Sequence, residues 1–127
     1  MINKILLAED NVLNCKLLLH GLKQYQVDVA RDGKEAIELF KTNQYDIVLM
    51  DIQMPGVDGL EASRQIRRIE NDNLRKTRAI ILGITADLFP NLEKECKAAG
   101  IDDFLAKPFQ PSNLVNLISD YYSRYSH

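Results

Sequence analysis

Tryptophan is absent from this sequence, cysteine and histidine occur twice each, no apolar run is long, and neither sign of charge dominates. Each scarcity removes a class of explanation. Cys15 and Cys96 stand apart, outside CxxC or Cys/His spacings, and both fall in helical patterns, so free thiols, buried or partly buried, are expected rather than a disulfide, a zinc site or a nucleophile. His20 lies late in the first helical pattern without metal-type neighbours, and an ordinary helix-end role is expected for it. A membrane span needs about twenty consecutive apolar residues, which the chain lacks. Met1-Ile2-Asn3-Lys4 leads straight into a strand pattern instead of a signal peptide, so a cytoplasmic protein without membrane contact is expected. Sixteen basic against eighteen acidic residues leave a formal charge of -2, which offers a nucleic-acid backbone no bulk attraction, and no direct nucleic-acid contact is expected.

What is present describes an ordinary folded domain: 46% hydrophobic and 27% charged residues in 127, a length that reads as one domain, 1–127. Ile5 to Ala8 is a short apolar run that exits on Glu9-Asp10-Asn11. Leu17, Leu18 and Leu22 mark a helix over Asn14 to Gln24. Val27 to Ala30 reads as a second strand, followed by a helix carrying Ala36, Ile37 and Phe40. The run Ile47 to Met50 is a buried strand ending on Asp51, ahead of a Pro-Gly loop. Asp58 and Glu61 form a variant capping box for a helix with Leu60, Ala62, Ile66 and Ile69 inward.

Glu70 to Thr77 has no periodicity and reads as a solvated loop or frayed helix end, the least ordered internal segment. Ala79 to Ile84 is an apolar strand ending on Thr85, with Gly83 suggesting close packing. Pro90 suits the first turn of the next helix, Leu92, Cys96 and Ala99 its inner face, and Gly100 its stop. Asp103 to Ala106 is a last strand, ending on Lys107-Pro108. The final helix has Pro111 in its first turn and Leu114, Leu117, Ile118, Tyr121 and Tyr122 inward, fraying from Tyr125 to His127. Strands and helices thus alternate as (βα)5, which implies a doubly wound α/β sandwich with a parallel sheet and right-handed crossovers.

In such a sheet the strand exits converge, so Glu9, Asp10, Asp51, Thr85 and Lys107 share one edge. Each alone has a plain explanation: a cap, a solvated turn or a surface cation. Together they describe a chemistry. Three carboxylates repel one another in a poorly solvated cleft unless a cation joins them or one keeps its proton. With no His or Cys among them, the all-oxygen set favours Mg²⁺, which keeps several waters and accepts a phosphate oxygen. Lys107 can hold a second phosphate oxygen as a point charge, and the Thr85 hydroxyl can donate to a third. Aspartate forms acyl phosphates in phosphoryl transfer, which makes Asp51 the acceptor.

The sequence closely resembles the receiver domain of two-component response regulators, particularly receivers attached to hybrid histidine kinases. The matching residues are Glu9-Asp10-Asn11, Asn14, Leu49-Met50-Asp51-Ile52-Gln53-Met54-Pro55, Asp58-Gly59, Thr85-Ala86 and Lys107-Pro108-Phe109, in order and spacing over nearly the whole chain. The resemblance implies a flavodoxin-like, five-stranded parallel sheet in the order 2-1-3-4-5. Asp51 is then the phosphorylation site. Asp10, Asp51 and the Gln53 backbone carbonyl are Mg²⁺ ligands, Glu9 acts through metal-bound water, and Thr85 and Lys107 contact the phosphoryl group. Phe104 takes the switch position, where the family more often has tyrosine, so only ring packing remains there. The Lys107-Pro108 bond is usually cis in the family. Gln53 and Asp87 occupy variable positions that influence phosphate lifetime.

The partners implied are a histidine kinase or histidine phosphotransfer protein, with a possible homodimer through the fourth helix, fifth strand and fifth helix. On this reading the chain is a regulatory phosphoacceptor and not an enzyme acting on other substrates. An aspartyl-phosphate phosphatase of the haloacid dehalogenase type is a competing reading, but it wants aspartate where Gln53 stands, and a cap domain. A degenerate receiver binding proteins without phosphorylation is the other, and the complete acceptor, metal and lysine set argues against it.

Overall fold

The computed structural model describes residues 4–75, 77–86, 88–107 and 110–125. The expectations for Met1 to Asn3, Asp87, the Lys107-Pro108 bond, Phe109 and the last two residues lie outside the described residues. Five strands alternate with five helices: β1 (Lys4–Ala8), α1 (Val12–Gly21), β2 (Gln26–Ala30), α2 (Gly33–Thr42), β3 (Ile47–Asp51), α3 (Gly59–Asp72), β4 (Ile80–Thr85), α4 (Leu92–Ala98), β5 (Asp103–Ala106) and α5 (Pro111–Tyr125). The strands form one parallel sheet in the order β2-β1-β3-β4-β5, as expected.

Strand side chains alternate between two faces, and here both faces are covered. Leu6, Val48 and Ile81 point into one core with Phe40 of α2, Ile66 of α3 and Cys96 of α4. Ile5, Leu7, Ile47 and Leu49 point into the other with Leu18 of α1 and Leu114 and Ile118 of α5. That double burial is why β1, β3 and β4 are near-continuous apolar runs. Fully burying each such side chain contributes about 1.5–3 kcal/mol.

Side-chain caps begin three helices. The Asn11, Asp32 and Asp58 side chains accept from the backbone N–H groups of Asn14 (2.9 Å), Glu35 (2.7 Å) and Glu61 (2.8 Å). Glu61 itself accepts from Arg64 and Gln65 along its own helix.

Four details differ from the sequence reading. First, the Asn11 cap starts α1 at Val12 instead of Asn14, and the helix ends at Gly21 instead of Gln24. Second, Leu17 is 56% exposed, because the inward face runs through Leu18 to Leu22, about 100° round the helix from it. Third, Pro90 precedes α4, whose N-cap Asn91 takes a left-handed φ of 68°. Fourth, the segment from Glu70 is solvated as expected at Asn71 to Leu74 but is tied down at both ends, Glu70 and Arg75. α3 continues to Asp72, and the Glu70 carboxylate accepts from Ala79 N (2.7 Å) and Arg67 Nη1 (2.7 Å). The Arg75 guanidinium lies 4.6 Å over the Phe40 ring and donates to the Phe40 carbonyl at 2.7 Å. Gly83 and Gly100 behave as expected: a Cβ at Gly83 would come within 3.0 Å of Ile52 Cδ1, and Gly100 ends α4 at φ +87°. Among the described residues no helix is long and apolar enough to cross a membrane.

Candidate functional site at the strand exits

Register sets the site. Ala8 pairs with Met50, Asp51 with Ile84 and Thr85 with Ala106, so β1, β3, β4 and β5 end nearly level. The Lys107 N–H donates to the Thr85 carbonyl at 2.7 Å, carrying the pairing one step beyond β5. The sheet therefore delivers Glu9, Asp10, Asp51, Thr85 and Lys107 to one edge, as the sequence predicts.

Glu9, Asp10 and Asp51 each place a carboxylate oxygen within 4.8 Å of the others. Glu9 and Asp51 are 2% and 3% exposed, while Asp10 faces solvent. The Lys107 ammonium reaches between the two buried acids, 3.1 Å from Glu9 Oε1 and 3.6 Å from Asp51 Oδ2. Backbone N–H groups hold the other oxygens: Asn11 donates to Glu9 Oε2 (3.2 Å) and Gln53 to Asp51 Oδ1 (3.0 Å). Burial pushes the Asp51 carboxyl up to about 7, helped by a hydrogen bond and like charge from Glu9 and offset in part by the Gln53 N–H and Lys107. Even with Lys107 beside it Asp51 is only partly ionised near neutrality, and a further cation at the cluster would favour its charged form.

The donor set fits a hard divalent cation. All three acids offer oxygen, two are buried and one is open to water, an arrangement that suits Mg²⁺ retaining part of its hydration shell. Thr85 is fully buried at the end of β4. Phe104 is the second residue of β5 and pairs with Gly83, on the same sheet face as Thr85 but roughly 7 Å back along the strand direction. Its partly buried ring packs against the α2, α3 and α4 core and lines a surface depression of about 600 Å³ with Leu88, Phe89 and Leu92.

Two features were not legible beforehand. Gln53 stands at the rim, and its side-chain Oε1 accepts from the Ala86 N–H at 3.4 Å, bridging the loop after β3 to the exit of β4. Lys107, assigned to a phosphate oxygen, is occupied by Glu9, 98 residues away in sequence. Nothing in the spacing of either residue signals these contacts.

Comparison with known proteins points one way. Residues 5–119 match the family model described as response regulator receiver domain. Hybrid signal transduction histidine kinase B of Dictyostelium discoideum is 40% identical over 123 residues, which cover 90% of this chain and 6% of that protein. Histidine kinase 3 of Arabidopsis thaliana is 34% identical, across 94% of this chain and 13% of its own length. The chain therefore spans a small fraction of these relatives. Among solved structures, the receiver domain of a sensor histidine kinase from Pseudomonas aeruginosa is 33% identical with a TM-score of 0.84, covering 97% of this chain and 99% of that one; it holds a magnesium ion coordinated in its active-site cleft. The receiver domain of a Saccharomyces cerevisiae response regulator, solved with its histidine phosphotransfer protein, is 30% identical with a TM-score of 0.83, covering 93% and 87%.

Proposed function

The chain belongs to the response regulator receiver domain family, and from that membership we propose that it accepts a phosphoryl group on Asp51 from a phosphohistidine. The carrying observation is the buried Asp51 carboxyl beside two further carboxylates, with the Lys107 ammonium 3.6 Å away. In the transfer an Asp51 Oδ attacks phosphorus, an O–P bond forms, and the N–P bond breaks with its electron pair returning to the imidazole. Asp10, Asp51 and the Gln53 carbonyl would hold Mg²⁺, with Glu9 reaching it through water. When bound, that ion supplies positive charge to the carboxylates and to the transferring phosphoryl oxygens.

The chain's own residues do the rest. Strand pairing fixes Asp51 at the sheet edge, and the Gln53 N–H orients one of its oxygens, leaving the other toward the cleft. Lys107 leaves Glu9 for a phosphoryl oxygen, and the Thr85 hydroxyl donates to another. The donor would be a histidine kinase or a histidine phosphotransfer protein. The chain acts on itself in this scheme, with no turnover of an external substrate, and the changed α4, β5 and α5 surface is what a partner or second copy reads.

A small phosphodonor with Mg²⁺ should add one phosphoryl group by intact mass, and Asp51→Asn should take up none. Equal labelling of the two proteins overturns the assignment; no labelling of either points to a protein-binding module that works without phosphate.

A further inference from the structure

The two ends of α4 are held very differently. At its C-terminal end, Arg67 of α3 makes a four-point clamp: Nε donates to the Gly100 carbonyl (2.9 Å), Nη1 to Glu70 Oε1 and to the Ala79 carbonyl (2.7 Å each), and Nη2 to Asp102 Oδ2 (3.1 Å). Asp102 is fixed in turn by Ile81 N (2.9 Å) and Arg78 Nη1 (2.9 Å). The arginine stem lies directly on Gly100, where a Cβ would come within 2.6 Å of Arg67 Cγ. Ile101, buried at 4% exposure, donates its N–H to the Cys96 carbonyl at 2.9 Å. Charge-assisted, partly buried hydrogen bonds of this kind are the strong ones.

At the N-terminal end, Asn91 sits at φ 68° and makes no side-chain cap bond. Pro90 has no N–H to contribute. Leu88 is 68% exposed, and the 600 Å³ depression shared with Phe104 begins at this end and runs along the helix as far as Lys97. The attachment here is local and apolar: Leu92 is buried at 4% exposure in the core and donates its N–H to the Phe89 carbonyl at 3.1 Å, against the multiple charge-assisted bonds at the other end.

We infer that α4 works as a lever hinged at Gly100, with Arg67 as the latch that sets where the hinge lies. This rests on the receiver reading of Asp51 and Thr85. A rearrangement starting at Thr85 moves the Leu88 to Leu92 end into or out of the depression beside Phe104. The clamp stops the motion at Gly100, which leaves β5 in register. Arg67 touches neither phosphoryl group nor metal, so it is a positioning residue that decides how far a signal from Asp51 travels.

The test is amide hydrogen exchange with and without beryllofluoride and Mg²⁺, on the wild-type chain, Arg67→Met, and the milder Asp102→Asn, which keeps an acceptor for Ile81 N. In the wild type, beryllofluoride should change exchange from Ala86 to about Glu95 and leave Gly100 to Asp102 unaltered. In either variant the same ligand should change Gly100 to Asp102 by about tenfold, the scale of a lost charge-assisted hydrogen bond. Its binding at Asp51 should be retained. A merely structural Arg67 would raise exchange equally with and without beryllofluoride, and that result overturns the lever. So does a wild-type response that already runs through Asp102. If the wild type does not take up beryllofluoride at all, the receiver reading falls, and the lever falls with it.

Discussion

At the scale of single residues, the site runs on charges held out of water. Asp51 is raised to about 7 from an ordinary 3.8, first by burial and then by Glu9. A carboxyl whose folded pKa is raised binds its proton more tightly in the native state. The associated stability is therefore fully present below 3.8 and is lost as pH rises through about 7. The metal-free protein should melt higher at about pH 6 than at about pH 8, and Asp51→Asn should flatten that dependence. Equal slopes in the two proteins would mean that another group carries the pH response. The residue types of this site were legible because strand exits gather at one edge whatever the details of packing. Their pairing was not: the Lys107–Glu9 contact joins residues 98 apart, and only a finished register brings them within 3.1 Å.

At the scale of elements, the strands were the most readable part. β1, β3 and β4 are buried on both faces, so their apolar runs have only one use. α1 was harder, because Leu17, Leu18 and Leu19 are consecutive and a run of leucines does not say which one faces in; only Leu18 is buried. Glu70 to Arg75 misled for a different reason. Its middle, Asn71 to Leu74, is solvated as its sequence suggests, yet Arg75 bonds a carbonyl 35 residues away and Glu70 closes on Ala79. Local helix starts depend on caps that can be read directly. Asp58 is the clearest, since its carboxylate accepts the Glu61 N–H and starts the helix immediately after the acceptor loop. Asp58→Ala should destabilise the fold by about 1 kcal/mol, a few degrees in melting temperature. Asp58→Asn, which keeps an accepting oxygen, should recover most of that. If alanine and asparagine cost the same, capping is not the role of Asp58.

For the whole molecule, two apolar cores carry the fold, while the edge above them holds a cluster that works against it. Glu9 and Asp51 stay buried with one ammonium between them, and Asp10 adds a third carboxylate. Repulsion that Lys107 only partly relieves is a standing cost in the metal-free protein. A divalent cation that binds this edge only in the native state removes it and stabilises by mass action, by about 2.7 kcal/mol when its free concentration is a hundred times its Kd. Mg²⁺ should therefore raise the melting temperature in a saturable way, with chelator reversing the effect. Asp10→Asn removes one carboxylate without touching either core. It should weaken the Mg²⁺ response by an order of magnitude or so in apparent affinity, while the metal-free variant melts no lower than the wild type, because a repelling charge has gone. An unchanged Mg²⁺ titration in Asp10→Asn would take Asp10 out of the ligand set. A flat titration in both proteins would mean that Lys107 and the Asn11 and Gln53 N–H groups are enough to hold Glu9 and Asp51, and the cleft would need no metal to be complete.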